Sequence, residues 1–462
     1  MRFKPTSQVA GEPSKTGGRA LKESLLIEDV KLLTPSGPLN VDIAIVDGVI
    51  AKIGKHVDVS GIRRLDAHGR LGLPGLIDVH VHLRGLSLAY KEDYYSGTCA
   101  AAAGGFATVL DMPNTVPPTD SPEHLEMKAR EARMEAVTNV GFHALPPKKW
   151  EEADAMAERG VKSFKLYMGD EKYVDEGFLF ERLPLLAVKS TRYGIPLTVH
   201  AEDSHNLKDE DELLKTGEFT VKTYTSIHSP RSEARGVKLM CKLAGDARIH
   251  FCHVSSAEAL TQLKKCRETR GNVTCEVTPH HLFLTEKDLE KIGSIALTNP
   301  PFRDQHSRLK LWEALARGEV EVVASDHAPH NRVEKERLEL TQVPPGIPGL
   351  ETTLPLMLNA AHKGLISLGR LVETFAENPA RIFNLEGKGR LDVGFDGDVT
   401  IVDLKHEHVI DSSKFYSKAK YTPFEGWRCR GRPWAVVVGG GVVMMDGEVT
   451  AERGTGNVIV KA

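Results

Sequence analysis

The sequence predicts an α/β protein: a (β/α)8 TIM barrel joined to a small β-sandwich that the N- and C-terminal segments build together. Three observations carry this. The middle of the chain alternates short apolar runs with helical periodicity. The two ends read as short strands cut by turn residues. Polar side chains recur where the apolar runs of the middle stop.

The first element is an extension. Residues 1–23 are rich in Lys, Gly, Ser and Pro and have no apolar stretch of the secretory-signal type, so they are expected to be mobile. Residues 24–70 then give LLIEDVKLL, VDIAIVDGVIAKIG and RRLDAHGRL, separated by Pro-Ser-Gly and Asp-Gly turns. Residues 388–462 repeat that grammar in GRLDVGFDGDVTIVDL and AVVVGGGVVMMDGEVT. The two stretches together are expected to form the composite sandwich, leaving 71–387 for the barrel. Barrel strands are expected at 76–82, 106–111, 138–143, 162–167, 196–200, 248–253, 273–277 and 321–326. Helices fill the gaps, two of them starting at Ser121–Pro122 and at Ser256. Near-continuous apolar runs suit parallel strands covered on both faces.

Composition narrows the function. A chain of 462 residues, 41% hydrophobic and 27% charged, can bury a large core. A net charge of -3 offers nothing to nucleic acid or an anionic membrane. No apolar run approaches the roughly 20 residues that cross a bilayer. The six cysteines form no CxxC and no regular framework, as expected of a reduced, cytoplasmic enzyme.

Chemistry enters at LPGLIDVHVHLRG, residues 73–85. In a strand, residues i and i+2 share a face, so His80 and His82 point the same way and form a metal clamp. The other strand ends add to it. The second is followed by Asp111-Met112-Pro113-Asn114, the fourth carries Lys165, the fifth ends at His200, the sixth at His253 and the eighth at Asp326. Active sites of such barrels lie at these ends. Four histidines and an aspartate exceed what one catalytic zinc uses, so two metals are the natural count. Lys165 then looks out of place beside cations. A lysine amine among metal ions gives up its proton, and a neutral amine takes up carbon dioxide to become an anionic carbamate. Lys162 is the alternative, but Phe164 and Leu166 flank Lys165 in strand fashion near the strand end.

The motifs DVHVHLR, DMPNT, SFKLYMGD, VHAED, HFCHVSS, TCEVTPHHLFLT, NPPFR, ASDHAPH and GIPGLETTLPLML resemble the amidohydrolase superfamily, and the resemblance runs from about residue 25 to about 450. Within it they resemble the class I-like dihydroorotases. That resemblance implies reversible cyclisation of N-carbamoyl-L-aspartate to L-dihydroorotate in pyrimidine (UMP) biosynthesis. It implies two Zn2+ ions, one held by His80, His82 and Asp326 and the other by His200 and His253. N6-carboxylysine at Lys165 and a hydroxide would bridge them, and Asp326 would be the catalytic base. The substrate carboxylate would meet Arg84, Asn114 and His330, with His82, Asn299, Pro345 and Gly346 also touching substrate. Cys252 is expected to face away from the site, although with Glu276 and His200 it raises the option of a third zinc. Residues 331–344 are a candidate lid or a solvated segment. Partners would be the small-molecule substrate, a second copy of the chain, or aspartate transcarbamoylase. One departure stands out: the usual HLREPG reads HLRGLSLAYKED here, so the Glu-Pro-Gly is missing and the loop after Arg84 takes another path, while Lys91-Glu92-Asp93 match what normally follows. Two alternatives remain: a hydantoinase, dihydropyrimidinase or allantoinase acting on an uncharged ring, and a non-catalytic homologue.

Overall fold

The computed structural model describes residues 22–34, 37–170, 172–175, 177–203, 220–337 and 339–460. All but the last two residues of the expected extension lie outside them. Eight short parallel strands form the barrel: β6 (Leu76–Val81), β7 (Phe106–Asp111), β8 (Asn139–Phe142), β9 (Phe164–Tyr167), β10 (Leu197–His200), β11 (Ile249–Phe251), β12 (Val273–Val277) and β13 (Val322–Val323). β6 to β8 pair in order, and β9 to β13 pair in order. Single parallel bridges close the ring, Ala144 to Phe164 between β8 and β9, and Val81 to His327 beyond β13. Every residue of β6 and β7 is buried, which explains their unbroken apolar pattern.

The other nine strands come from the chain ends. They are β1 (Leu25–Leu32), β2 (Leu39–Val46), β3 (Val49–Gly54), β4 (Arg63–Asp66), β5 (Leu71–Pro74), β14 (Val399–Val409), β15 (Arg428–Val438), β16 (Gly441–Met445) and β17 (Glu448–Val449). One hydrogen-bonded path runs β17-β16-β15-β14-β5-β1-β2-β3, with β4 on β1. The antiparallel pair β5–β14, with Leu73 opposite Thr400, is where the two termini meet. Leu25, Ile27, Ile43, Ile45, Val399, Ile401 and Val437 supply its apolar core.

Helix starts follow local chemistry. Ser121 accepts a hydrogen bond from the His124 amide at 3.1 Å, and Pro122 occupies the first turn. Ser256 caps the Ala257–Thr269 helix through the Ala259 amide at 3.2 Å.

Two readings are corrected. The strands expected at 248–253 and 321–326 are shorter, because the chain turns into the left-handed region at His253 (φ 33°) and Asp326 (φ 47°). The cysteines are not all free: Cys241 and Cys266 form a disulfide, with Cα atoms 6.1 Å apart. They sit on the neighbouring helices Pro230–Leu243 and Ala257–Thr269, so helix packing rather than spacing brings them together.

Candidate active site

The site is built from the ends of the barrel strands. β6 delivers His80 and His82. Nε2 of His80 lies 3.3 Å and Nε2 of His82 lies 3.2 Å from the same oxygen of Asp326. Their other nitrogens are anchored. His80 Nδ1 bonds the Glu276 carboxylate, and His82 Nδ1 lies 2.7 Å from Asn114 Oδ1. A carboxylate or amide oxygen only accepts, so these Nδ1 atoms donate and both Nε2 atoms turn toward Asp326. Burial lowers His82 to about 4, which keeps it neutral. Burial also opposes charge on His80, but Glu276 and Asp326 beside it hold it up to about 10. Asp326 is likewise buried, yet the two imidazoles keep its carboxyl below the ordinary range. His80, His82 and Asp326 place one ligand atom each within 4.8 Å of one another.

β10 delivers His200. Its Nε2 is 2.8 Å from Glu202, and its Nδ1 is 3.1 Å from Nε2 of His253. Glu202 takes the proton-bearing nitrogen, which leaves the Nδ1 lone pair aimed at His253. Nδ1 of His253 is buried with no hydrogen-bond partner among the described residues. The ring centroids run His82–His80 at 5.5 Å, His80–His253 at 5.3 Å and His253–His200 at 4.8 Å, so the four histidines form one string. Lys165 is fully buried at this string and has no salt bridge among the described residues. Its Nζ lies 2.9 Å from Cys252 Sγ.

That contact corrects the expectation for Cys252. β11 ends at Phe251, so strand alternation no longer applies, and the turn at His253 lets Cys252 and His253 both face inward. Cys252 groups with His80 and Glu276 at ligand distance, not with His200.

Above the histidines opens a cavity of about 610 Å³. Arg84, Asn114, Asn299, His330, Pro345 and Gly346 all line it. Arg84 reaches the cavity without a continuing strand. The strand stops at Val81, and a left-handed turn at Arg84 (φ 60°) carries the side chain in. Its Nε donates to the Pro329 carbonyl at 3.2 Å. Three site residues, Arg84, His253 and Asp326, thus hold a backbone conformation that non-glycine residues seldom adopt. Asn299 Oδ1 is buried with no partner among the described residues. Arg303 does not line the cavity; it bonds Ser255 Oγ at 2.9 Å and the His228 carbonyl.

Of the segment 331–344, Leu340, Thr341, Val343 and Pro344 form part of the cavity wall. It is tied down by buried Lys335, which donates to the Leu297 and Pro344 carbonyls at 3.0 Å each. Tyr167, Glu202, Tyr224 and His228 also line the cavity and were not singled out from sequence. Tyr167 and Glu202 lie two residues beyond Lys165 and His200, so the same-face rule could have found them. Tyr224 and His228 come from a helix and its end, where no such signal exists.

Comparison with known proteins places this geometry. The model of the Amidohydrolase family matches residues 72–443. The chain belongs to the amidohydrolase family. Among sequence relatives of this amidohydrolase, the dihydroorotase of Methanothermobacter thermautotrophicus is 39% identical, covering 90% of this chain and 94% of that protein. The dihydroorotase of Methanosarcina acetivorans is 37% identical over 90% of this chain and 91% of its own. Among solved structures, L-hydantoinase from Arthrobacter aurescens superposes with a TM-score of 0.89 at 30% identity, covering 95% of this chain and all of that one. D-hydantoinase from Bacillus sp. AR9 gives 0.87 at 27% identity, with 94% and 98% covered. No helix among the described residues is long and apolar enough to cross a membrane.

Proposed function

We propose that this amidohydrolase is a dihydroorotase, interconverting N-carbamoyl-L-aspartate and L-dihydroorotate with loss or gain of water. The observation that carries this reading is the placement of Arg84 and His330 together on the cavity wall, beside the histidine string. A ring bearing a carboxylate calls for fixed donors there, and an uncharged hydantoin does not.

The donor set fits metal ions. Imidazole nitrogens that face one another at 3.1 Å, and two more that face one carboxylate oxygen, are what paired cations would use. His80, His82 and Asp326 would hold one zinc, and His200 with His253 a second. Lys165, carboxylated, would bridge between them. Bound there, the ions would supply Lewis-acid polarisation of the ring amide and a water acidified to near neutrality.

The chain's own residues do the rest. Arg84, His330 and Asn114 bind the ring carboxylate and fix the amide over the histidines, with Asn299 and the Pro345–Gly346 backbone against the ring. Asp326, ionised at neutral pH, takes the proton of the attacking water and hands it to the departing ring nitrogen. In the biosynthetic direction it starts protonated and the same steps reverse. The wall from 331 to 344 excludes bulk water during closure.

Arg84→Met tests the reading. Turnover of dihydroorotate should fall about 100-fold or more in kcat/KM, from loss of a charge-assisted pair. An equal fall on an uncharged ring would contradict a carboxylate-binding role.

A further inference from the structure

The loop after Arg84, where the sequence departs from the common HLREPG, ends in a lysine that meets the cavity-lining His330. Lys91 Nζ lies 3.0 Å from Nδ1 of His330 and 2.9 Å from Glu334 Oε1. An ammonium can only donate, so Nδ1 of His330 accepts and carries no proton. The other side of the ring agrees. Its Nε2 is 3.1 Å from the Pro345 carbonyl, which can only accept, so the proton sits on Nε2. Burial, with Arg84, Lys91 and Lys335 nearby, holds the ring's pKa well below its ordinary value, so it stays neutral.

Arg84 Nη2 is 3.2 Å from that same Nε2. With the proton so placed, these are two N–H groups side by side, which do not bond to each other. An acceptor oxygen between them would take a hydrogen bond from Arg84 and share the His330 Nε2–H with the Pro345 carbonyl. Gly346 permits the approach: at φ 135°, a Cβ there would lie 2.6 Å from the Ala328 carbonyl oxygen and 3.1 Å from His330 Nε2.

We propose that Lys91 is a positioning residue that locks His330 in its Nε2–H form, so that Arg84 and His330 together present a two-donor fork to an anionic ring substituent. The opposite tautomer would aim a lone pair at the incoming carboxylate. This inference rests on the carboxylate-binding reading of the cavity, and Lys91 also ties the end of the loop, through Glu334, to the wall segment that follows His330.

The test uses the full-length, zinc-loaded protein with Lys91→Met and His330→Gln, singly and combined. Lys91→Met should raise KM for dihydroorotate about tenfold with kcat changed less than about threefold. Added to His330→Gln, it should cost less than about twofold more. Nitrogen-15 spectra of histidine-labelled protein, with His330 assigned by its loss in His330→Gln, read the tautomer without substrate. The proton should sit on Nε2 in the wild type and shift to a mixture or to Nδ1 in Lys91→Met. An unchanged tautomer, or a KM loss that persists undiminished in the His330→Gln background, overturns the proposal. Absence of dihydroorotate turnover alongside a tautomer shift would instead remove the substrate reading and leave the Lys91–His330 lock standing.

Discussion

Nδ1 of His200 stands 3.1 Å from Nε2 of His253, at the floor of the cavity. Glu202 already claims the proton of His200, and both imidazoles are removed from water. Two lone pairs face each other unless a proton or a cation lies between them. Replacing His253 by Asn should therefore leave a folded protein that binds about one zinc fewer per chain than the wild type. Elemental analysis after dialysis reads this, with circular dichroism as the check on folding. Unchanged metal content would remove His253 from the ligand set.

Nε2 of His80 and Nε2 of His82 both face one oxygen of Asp326, at 3.3 and 3.2 Å. Asp326→Asn keeps the shape and a neutral oxygen but loses the ability to take a proton. It should fold, retain some metal and lose roughly 10²–10⁴ of turnover, the usual contribution of a placed general base. Turnover near the wild-type value would show that the proton goes elsewhere.

Lys335 supplies a pH test. Its amine is fully buried, and burial lowers it to about 7, against about 10.4 in an unfolded chain. A neutral amine has two hydrogens, which match its two carbonyl partners. Below about pH 7 both folded and unfolded states carry the proton, so the burial penalty is fully present. Between about 7 and 10 the unfolded chain holds a proton that the folded chain lacks, and stability rises with pH. The stability of the wild type relative to Lys335→Met should climb across that window in urea titrations at pH 7, 8 and 9. A difference that stays flat would mean the amine keeps its proton when buried.

The wall segment makes a fourth prediction. Ligand contact with Leu340, Thr341 and Val343 should slow proteolytic cleavage between 331 and 344, by about tenfold at saturating substrate analogue. Cleavage at an unchanged rate would argue against closure there.

Much of this was legible because strand geometry is local. His80 and His82 share a face by alternation alone, and β7 and β12 run over the residues that their apolar letters mark. Legibility ended where strands did. Alternation carried past Phe251 put Cys252 on the wrong side, since a left-handed turn resets the pattern. Arg84 reached the cavity through such a turn rather than by continuing β6. The Cys241–Cys266 pair and the approach of Lys91 to His330 depend on packing between segments 25 and 239 residues apart, which one sequence read locally does not encode.

The most direct measurement is turnover by zinc-supplied protein of carbamoyl-aspartate at mildly acidic pH and dihydroorotate at alkaline pH, with hydantoin, dihydrouracil and allantoin run beside them. The arrangement of Arg84, His330 and the four histidines predicts activity confined to the carbamoyl-aspartate and dihydroorotate pair. Comparable or greater activity on the uncharged rings would contradict it.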